Sequence, residues 1–259
     1  MLAAFDIGNA QVTVGVFDGE RLATSFHLAS DVHRPAEEYA LLLGGLLTSE
    51  GLDRSAVTGA AIGSVVPPLT ERFSDVCARL FGCKAIVAGA GTRTGVHVAT
   101  HNPREVGTDR ILNAAAAFHL YGGPLIVVDF GTATSFDIVG PDGAYLGSAT
   151  APGLAVGAEA LFAAASGLHR VDLCAPRSVV GKDAATALQA GIVFGHAALV
   201  EGMVARIRSE TGFGGQVIAT GEHAAVGAGH VRCVDHMEPN LTLLGLRLMY
   251  DLNREDARS

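Results

Sequence analysis

The chain has 259 residues, of which 49% are hydrophobic and 17% charged, and its formal net charge at pH 7 is −8. This composition excludes an intrinsically disordered chain and indicates a globular protein with enough apolar residues for a core. The chain has no run rich in Lys and Arg, which argues against nucleic acid as its main partner, because binding to phosphate backbones needs clustered cations.

The N-terminus and the cysteines favour a cytoplasmic protein. The first eleven residues contain Asp6 and no basic residue, so they do not resemble a signal peptide. No apolar run reaches the ~18 residues of a membrane span, so no membrane partner is expected. Without Cys-x-x-Cys spacing, buried thiols in a reducing compartment are predicted for the four cysteines, Cys77, Cys83, Cys174 and Cys233.

The first half of the chain alternates predicted strands and helices. Short apolar runs predict five strands, at 2–6, 11–17, 21–29, 56–67 and 84–89. Longer runs predict three helices, at 34–51, 67–82 and 107–123. Pro35 suits the first turn of the first helix, and Gly51 suits its end.

The same alternation starts again in the second half. Four strands are predicted at 124–131, 134–140, 144–153 and 216–221. Helices are predicted at 154–168, 222–229 and 240–253, and 181–212 is either one long helix or a broken pair. The pattern indicates an α/β protein with mixed sheets in two lobes, 1–117 and 118–259. No low-complexity linker separates the lobes, so we expect them to pack closely around a cleft.

Each half contains nearly the same phrase, FDIGNA at 5–10 and VDFGTAT at 128–134. In both, a predicted strand ends in Asp, a Gly follows two residues later, and another strand begins at once. A glycine lets the backbone approach a ligand closely, consecutive N–H groups can face a phosphate, and the Asp can hold a cation. One copy alone is also a common structural turn, but two equivalent copies favour a polyphosphate gripped from both sides. A buried Asp129 needs a partner, either a bound cation or a backbone or Arg group.

Two further segments are candidate functional sites. VIATGEHA at 217–224 is either an ordinary strand–turn–helix connection or a turn near the adenosine of a nucleotide. NPREVGTDRILNAAAA at 102–117 places Asp109 and Arg110 side by side at the start of an apolar helix. The pair is either a helix cap with a local ion pair or a catalytic unit. In the catalytic alternative the carboxylate accepts the proton of an attacking hydroxyl, and the Arg binds an anionic group.

These motifs together resemble the type III pantothenate kinases, in order and over nearly the whole chain. The matching segments are DIGN (6–9), GSVVP (63–67), NPREVGTDRILNAAAA (102–117), VVDFGTATSFD (127–137), YLGSATAPGL (145–154), GK with ALQAGI (181–192), VIATG (217–221) and LTLLGL (241–246). The family belongs to the actin-like, sugar-kinase and Hsp70-type ATPases. The resemblance therefore implies two similar lobes of the ribonuclease H-like type, mixed sheets flanked by helices, and ATP in the cleft between them.

The resemblance implies the transfer of a phosphoryl group from ATP to pantothenate, giving 4′-phosphopantothenate in the first step towards coenzyme A. Asp109 would be the catalytic base. The implied ATP-binding residues are Asp6, Ile7, Gly8, Asn9, Ala10, Gln11, Val12, Thr13, Gly131, Thr132 and Gly221. The implied substrate-binding residues are Thr100, Gly107, Thr108, Asp109, Arg110 and Ala184. Asp6 would lie near Mg²⁺ bound to ATP, Asp129 would hold K⁺ or NH₄⁺, and the protein would be a homodimer whose partner chain completes the substrate site.

Five positions depart from the family's usual pattern, while the three carboxylates Asp6, Asp109 and Asp129 are kept. The family usually has Thr at Ala10, Tyr at Thr100, Ser at Gly157, Thr at Ala184 and Gly at Glu222. Most of these changes fall on substrate contacts and on the adenosine side. Two alternatives to the pantothenate kinase therefore stay open: a kinase for another small-molecule hydroxyl, and a weakly active or regulatory nucleotide-binding paralogue.

Overall fold

The computed structural model describes residues 1–89, 91–165 and 168–254. The chain forms two compact units. Unit 1 contains Met1–His97, His101–Ala116 and the chain from Leu241 onward, and unit 2 contains Val98–Thr100 and Ala117–Asn240.

Unit 1 is built on a five-stranded mixed sheet of order β3-β2-β1-β4-β5. Its strands are β1 (Leu2–Ile7), β2 (Gln11–Asp18), β3 (Arg21–Ala29), β4 (Gly59–Ser64) and β5 (Ala85–Val87). The first three form an antiparallel meander, and β4 and β5 run parallel to β1. The helices are α1 (Ala36–Ser49), α2 (Pro67–Phe81), α3 (Thr108–Tyr121), of which the part up to Ala116 belongs to unit 1, and α7 (Leu241–Asn253).

The two faces of this sheet are buried by different helices. Because side chains alternate along a strand, Ala3, Phe5 and Ile7 of β1 lie on one face, in a cluster with Tyr39 of α1 and Phe73 of α2. The residues between them lie on the other face, where α3 and α7 supply the core. Asp6 is the last residue of β1 on this second face.

Helix α7 lies in unit 1, although the sequence placed residues 118–259 in the second lobe. Glycines permit its close approach: a Cβ at Gly59 would lie 2.1 Å from the Tyr250 hydroxyl oxygen of α7. A Cβ at Gly245 would lie 2.3 Å from the carbonyl oxygen of Leu112 in α3. Sequence periodicity predicted the helix correctly, but it carried no information about which sheet the helix covers.

Unit 2 repeats the sheet topology of unit 1, with the order β10-β9-β6-β7-β8. Its strands are β6 (Leu125–Phe130), β7 (Ala133–Val139), β8 (Tyr145–Pro152), β9 (Gln216–Thr220) and β10 (His236–Met237). An antiparallel meander, β6 to β8, is again followed by two parallel strands. The helices are α4 (Leu154–Ala164), α5 (Ala184–Thr211) and α6 (Ala224–Gly227). The two Asp-x-Gly phrases therefore occupy the same topological position, the turn after the first strand of each meander.

The segment 181–212 forms one continuous helix, α5, and not a broken pair. A capping box of Asp183 and Thr186 begins it, and Gly212 ends it in the left-handed conformation with φ 71°. Contrary to the sequence prediction, α5 is long and apolar enough to cross a membrane by length and composition. Core helices of soluble proteins pass the same test, and α5 packs Val200 and Val204 into the apolar cluster of unit 2.

The four cysteines are free thiols, but they are not all buried as predicted. Cys77 in α2 is buried, and this burial raises the pKa of its thiol. Cys83 and Cys233 are half-buried, while Cys174, in the irregular segment that precedes α5, is exposed.

His196 of α5 connects this helix to the strand that follows the second Asp-x-Gly turn. Its Nε2 atom lies 3.1 Å from Oγ1 of Thr134 in β7, and its ring contacts Phe130 with centroids 6.0 Å apart. Only 9% of His196 is exposed, and burial lowers the pKa of its imidazole. Folding therefore favours the neutral form of this side chain.

We predict that His196 makes the stability of unit 2 depend on pH. Because folding lowers its pKa, the unfolded chain binds the proton more readily, and this contribution to stability is lost as pH falls below about 6.5. The midpoint of urea unfolding at pH 7.5 and 5.5 should therefore fall less in His196→Gln than in the unsubstituted protein. The exposed His169, changed to Gln, is the control, and equal pH dependence in all three proteins would contradict the prediction.

Candidate active site

Asp6 lies at the carboxyl end of β1, on the side of the sheet that carries α3. In the β-ladder it stands opposite Thr13 of β2 and Gly63 of β4, so these three positions share one face. A Cβ at Gly63 would lie 3.0 Å from Cδ1 of Leu112, one turn into α3. The fold of unit 1 thus brings the first Asp-x-Gly turn and the start of α3 to the same side of the sheet.

In the turn from Gly8 to Ala10, the first and last carbonyl groups accept hydrogen bonds, while two of the three N–H groups are open. Gly8 N–H closes it by donating to the Gln11 carbonyl oxygen at 2.9 Å. Ser30, just after β3, donates its hydroxyl to the Gly8 carbonyl at 2.6 Å and its N–H to the Ala10 carbonyl at 3.1 Å. Within the described residues, the N–H groups of Asn9 and Ala10 have no acceptor, and both residues are exposed. Exposed consecutive N–H groups of this kind suit a phosphate.

Asp109 lies inside the first turn of α3, with its carboxylate folded back over Gly107. The Ile111 N–H donates to the Gly107 carbonyl at 3.3 Å, so Gly107 stands where the helix begins. A Cβ at Gly107 would lie 2.4 Å from Oδ1 of Asp109, so a side chain there would displace the carboxylate. Asp109 is therefore not the N-cap residue, and both it and Arg110 are half-buried.

Asp129 occupies the equivalent position at the end of β6 in unit 2. It stands opposite Ser135 of β7 and Thr220 of β9. Gly221, just after β9, has φ +101°, and a Cβ there would lie 2.3 Å from Oδ1 of Asp129. A Cβ at Gly131 would lie 3.6 Å from the same oxygen. Two glycine turns therefore border the Asp129 carboxylate.

A helix N-terminus adjoins the second turn. Gly153, the N-cap of α4, donates its N–H to the Thr132 carbonyl at 3.2 Å. A Cβ at Gly153 would lie 2.3 Å from that carbonyl oxygen, so only glycine allows this contact. In the described part of the chain, the N–H groups of Thr132 and Glu222 find no acceptor. Open N–H groups beside a helix N-terminus form a site suited to an anion.

The predicted site residues fall into separate groups within the two units. Unit 1 holds the turn residues Asp6, Ile7, Gly8, Asn9, Ala10, Gln11, Val12 and Thr13, and the α3 residues Gly107, Thr108, Asp109 and Arg110. Unit 2 holds Asp129, Gly131, Thr132 and Gly221 around one carboxylate. Thr100 follows the bridge between Val98 and Tyr145, and Ala184 is the first residue of α5, so these two lie elsewhere in unit 2.

Two of the residues predicted to bind ATP have side chains that a ligand cannot reach. The side chains of Ile7 and Val12 are buried in the core of unit 1, with exposures of 1% and 0%. They lie on the opposite face of the sheet from Asp6. Only their backbone groups can contribute to a ligand site.

Sequence reasoning missed a buried polar network beside Asp129. Asp137 of β7 is fully buried and accepts hydrogen bonds from the Ser135 hydroxyl at 3.0 Å and the Tyr145 hydroxyl at 2.7 Å. Asp137 and Ser135 share the sheet face of Asp129, since alternate residues of a strand point to one side. Strand alternation in SFDIV could have placed Asp137 on this face, but its Tyr145 partner depends on the β7–β8 pairing.

The sheets define the fold class of the protein, an α/β protein in which two units repeat one mixed-sheet topology. The structure is similar to that of the activator of 2-hydroxyisocaproyl-CoA dehydratase from Clostridium difficile, determined with bound ADPNP. The TM-score is 0.55 at 14% identity, covering 100% of this chain and 97% of that one. A Baf family protein from Campylobacter jejuni gives a TM-score of 0.60 at 17% identity, covering 98% and 99%. At these identities the similarity shows the fold alone.

Sequence comparison shows the family. The type III pantothenate kinase profile matches residues 2–206. A type III pantothenate kinase from Moorella thermoacetica is 44% identical over 253 residues, covering 98% of this chain and 100% of the relative. One from Dehalococcoides mccartyi is 46% identical over 253 residues, covering 98% of both chains. The chain therefore belongs to the type III pantothenate kinase family, which confirms the predicted family and its enzyme class, a kinase. The comparisons give no sign of the alternative functions.

We predict that Gly221→Ala weakens ATP binding by tenfold or more, because the new methyl group would displace the Asp129 carboxylate. Gly212→Ala is the matched control: its φ is +71°, but nothing lies within 4 Å of the added Cβ. Left-handed backbone strain should cost both variants about 1–2 kcal/mol of stability. Gly221→Ala should lose more, because its Cβ would also lie 2.7 Å from the backbone C and N atoms of Phe130. Titration calorimetry with ATP separates the two effects, and equal ATP affinity in both variants would refute this view of Gly221.

Proposed function

We propose that this protein transfers the γ-phosphoryl group of ATP to pantothenate in the cytoplasm, giving 4′-phosphopantothenate, the first step of coenzyme A biosynthesis. The observation that carries this proposal is the similarity over 98% of the chain to relatives named type III pantothenate kinase. The chain also keeps the carboxylates Asp6, Asp109 and Asp129 of the family's motifs. Assay of a panel of small hydroxyl compounds with ATP tests the proposal, and turnover of another alcohol but not of pantothenate would refute it.

The two glycine turns are the proposed phosphate-binding elements. The open N–H groups of Asn9 and Ala10 in unit 1 and of Thr132 and Glu222 in unit 2 support this assignment. Such groups are pre-oriented by the turn, so they can bind phosphate oxygens without paying for reorganisation during the reaction. Ser30 binds the Gly8 and Ala10 carbonyl groups, which keeps these two acceptors away from the anion.

Asp6 is the proposed residue for Mg²⁺ bound to ATP. Its carboxylate is a hard oxygen donor at a strand end, half-buried beside the open N–H groups of the turn, which fits an ion that prefers oxygen ligands and keeps several waters. Bound Mg²⁺ would neutralise charge on the phosphates. Asp6 would orient the nucleotide relative to the start of α3.

Asp129 is the proposed residue for K⁺ or NH₄⁺. Carboxylate oxygen is a hard donor that suits such an ion, and Gly221 lets the turn after β9 approach this carboxylate closely, since a Cβ there would lie 2.3 Å from Oδ1. A monovalent cation there would offset negative charge beside the second phosphate turn. Ser135 and Asp137 lie on the same sheet face as this carboxylate, and the hydrogen bond between them holds their side chains in place.

Asp109 is the proposed general base. The substrate hydroxyl oxygen forms a bond to the γ-phosphorus, the bond from that phosphorus to the bridging oxygen of ADP breaks, and the hydroxyl proton passes to Asp109. Phosphoryl transfer needs little more than in-line placement and charge neutralisation, so one positioned carboxylate suffices for the proton. The close fit of this carboxylate over Gly107 limits the orientations it can adopt. Arg110, next along the helix, would bind an anionic group of substrate or ATP.

Thr100 is the proposed substrate contact in the place of the family's tyrosine. Its hydroxyl oxygen is buried and, in the part of the chain that the structure describes, has no hydrogen-bond partner. A buried polar atom without a partner costs about 1–3 kcal/mol, so a ligand that binds it would recover that energy. This hydroxyl supports a contact with a polar substrate group.

A homodimer is proposed on the exposed apolar residues near Ala184. Val179 and Val180, just before α5, are 70% and 74% exposed, and Ala184 is exposed at the start of the helix. Exposed apolar groups of this kind are typical of surfaces that another chain covers. A second copy of the chain seated there would place Ala184 beside the partner's substrate.

We predict that Asp109→Asn lowers kcat by at least 100-fold, the usual contribution of a positioned general base, and leaves ATP affinity within about twofold. The amide keeps the shape of the side chain but cannot accept the proton. Initial rates of pantothenate phosphorylation and calorimetry with ATP measure the two quantities. Glu105→Gln, an exposed carboxylate of the preceding segment, is the control, and a kcat for Asp109→Asn within tenfold of the unsubstituted enzyme would exclude Asp109 as the base.

We predict that activity falls about tenfold when potassium is replaced by the bulky tetramethylammonium ion, and that Asp129→Asn is insensitive to this exchange. If the contact between the ion and the carboxylate is worth as much as a hydrogen bond to a charged group, about 1.5–3 kcal/mol, its loss corresponds to tenfold or more. Asp142→Asn is the control, since Asp142 is exposed in the turn between β7 and β8. Equal rates of the unsubstituted enzyme in both salts would refute the cation site.

A further inference from the structure

A row of polar residues crosses three strands of unit 1 beside the first phosphate turn. Asp6 of β1 stands opposite Thr13 of β2, and Thr13 stands opposite His27 of β3. Residues directly opposite in neighbouring strands point to the same face, so the three side chains form a line about 10 Å long. Further from the turn, the same face is apolar: Leu2 and Ala4 lie beneath α7. The polar row is thus confined to the end of the sheet that carries the turn.

His27 is bound to the residue that closes the turn. The Gln11 side-chain nitrogen lies 2.9 Å from Nδ1 of His27 and 3.3 Å from Oγ1 of Thr13. Oγ1 of Thr13 also lies 3.4 Å from Nδ1. Gln11 accepts the Gly8 N–H with its backbone carbonyl, so its amide side chain rises from the turn itself. His27 is exposed, and a hydrogen bond at such a site adds little to stability.

We propose that His27 is a positioning residue for the phosphates of ATP, acting through the side-chain amide of Gln11. This inference rests on the proposed function of the first turn as a phosphate site. His27 and Thr13 hold one end of the Gln11 amide against the sheet. The other end of the amide therefore faces away from them, and Gln11 itself directly follows the turn.

Whether Nδ1 of His27 carries a proton decides which end of the Gln11 side-chain amide faces the ligand. With Nδ1 unprotonated, Gln11 donates its NH₂ group to His27, and its carbonyl oxygen is presented to the ligand. With a proton on Nδ1, the imidazole donates to the Gln11 carbonyl oxygen, and the NH₂ group is presented instead. A phosphate oxygen accepts hydrogen bonds, so bound ATP favours the second arrangement. His27 would thereby turn Gln11 into a phosphate donor.

A double-mutant cycle tests the coupling. Affinity for ATP in the presence of Mg²⁺ is measured by calorimetry for Gln11→Ala, His27→Ala and the double variant. Each single variant should weaken binding about fivefold. The double variant should also weaken it about fivefold, and not about 25-fold, because both changes remove the same interaction. Independent, multiplying effects, or unchanged affinity in His27→Ala, would overturn the proposal.

Two further variants separate positioning from a structural effect. His27→Asn places an amide where Nδ1 lies and can donate or accept, so it should restore ATP affinity to within about twofold. His33→Ala, another exposed histidine of unit 1, is the matched control and should change nothing. If His27→Asn is as weak as His27→Ala while the urea midpoints are unchanged, the amide contact is not the cause and the proposal fails.

Nitrogen NMR of the ring gives a readout that a structural role would not move. The ¹⁵N signal of Nδ1 should shift to the protonated form when ATP and Mg²⁺ are added, and an unchanged signal would overturn the proposal.

The test is also separable from the proposed function. Failure to phosphorylate pantothenate, with ATP bound and the cycle coupled, would refute the substrate assignment and leave His27 in its role. If ATP does not bind at all, both proposals fall.

Discussion

The Asp129 carboxylate occupies the space that a side chain at position 221 would need. Only glycine therefore fits at that position. A Cβ at Gly221 would come within 2.3 Å of its Oδ1 atom, and one at Gly107 would come within 2.4 Å of Oδ1 of Asp109. Each carboxylate thus occupies space that is available only because the nearby residue, Gly221 or Gly107, has no Cβ. Glycine permits both contacts because it has no Cβ and lets neighbouring backbone approach a carboxylate closely.

The same constraint explains what could be predicted from the sequence. Glycine and Asp are visible in a sequence, so the Asp-x-Gly turns and their place between two strands were predicted directly. The helices α1, α2 and α3 and the strands of both meanders were also predicted, because their apolar periodicity is strong. Strand β10 was missed because two residues carry no periodicity. The placement of α7 was wrong because it depends on glycines such as Gly59 and Gly245, whose partners are far away in the sequence.

The parts of the site that were missed all depend on strand register. Ser30 binds the first turn only because β3 returns beside β2, and His27 meets Thr13 only through the β2–β3 pairing. Asp137 appears in the quoted motif, but its burial and its bond to Tyr145 follow from the β7–β8 pairing. Register is set by the packing of a whole sheet face, so a local motif cannot specify these contacts.

In the proposed site, the first turn binds phosphate mainly through backbone N–H groups. A side chain that departs from the family pattern there therefore matters less. Ala10 has lost the family's threonine hydroxyl, but its carbonyl is held by Ser30 and its N–H is open, so its contribution to a phosphate does not depend on its side chain. The next residue, Gln11, carries a side-chain amide bound to His27 and Thr13. In the proposed site, the backbone N–H of Ala10 and, once turned by His27, the Gln11 amide would replace the missing hydroxyl donor. For the proposed phosphate site, a substitution in this turn must be judged by the hydrogen bonds available to the whole turn, because the donors of one network act together.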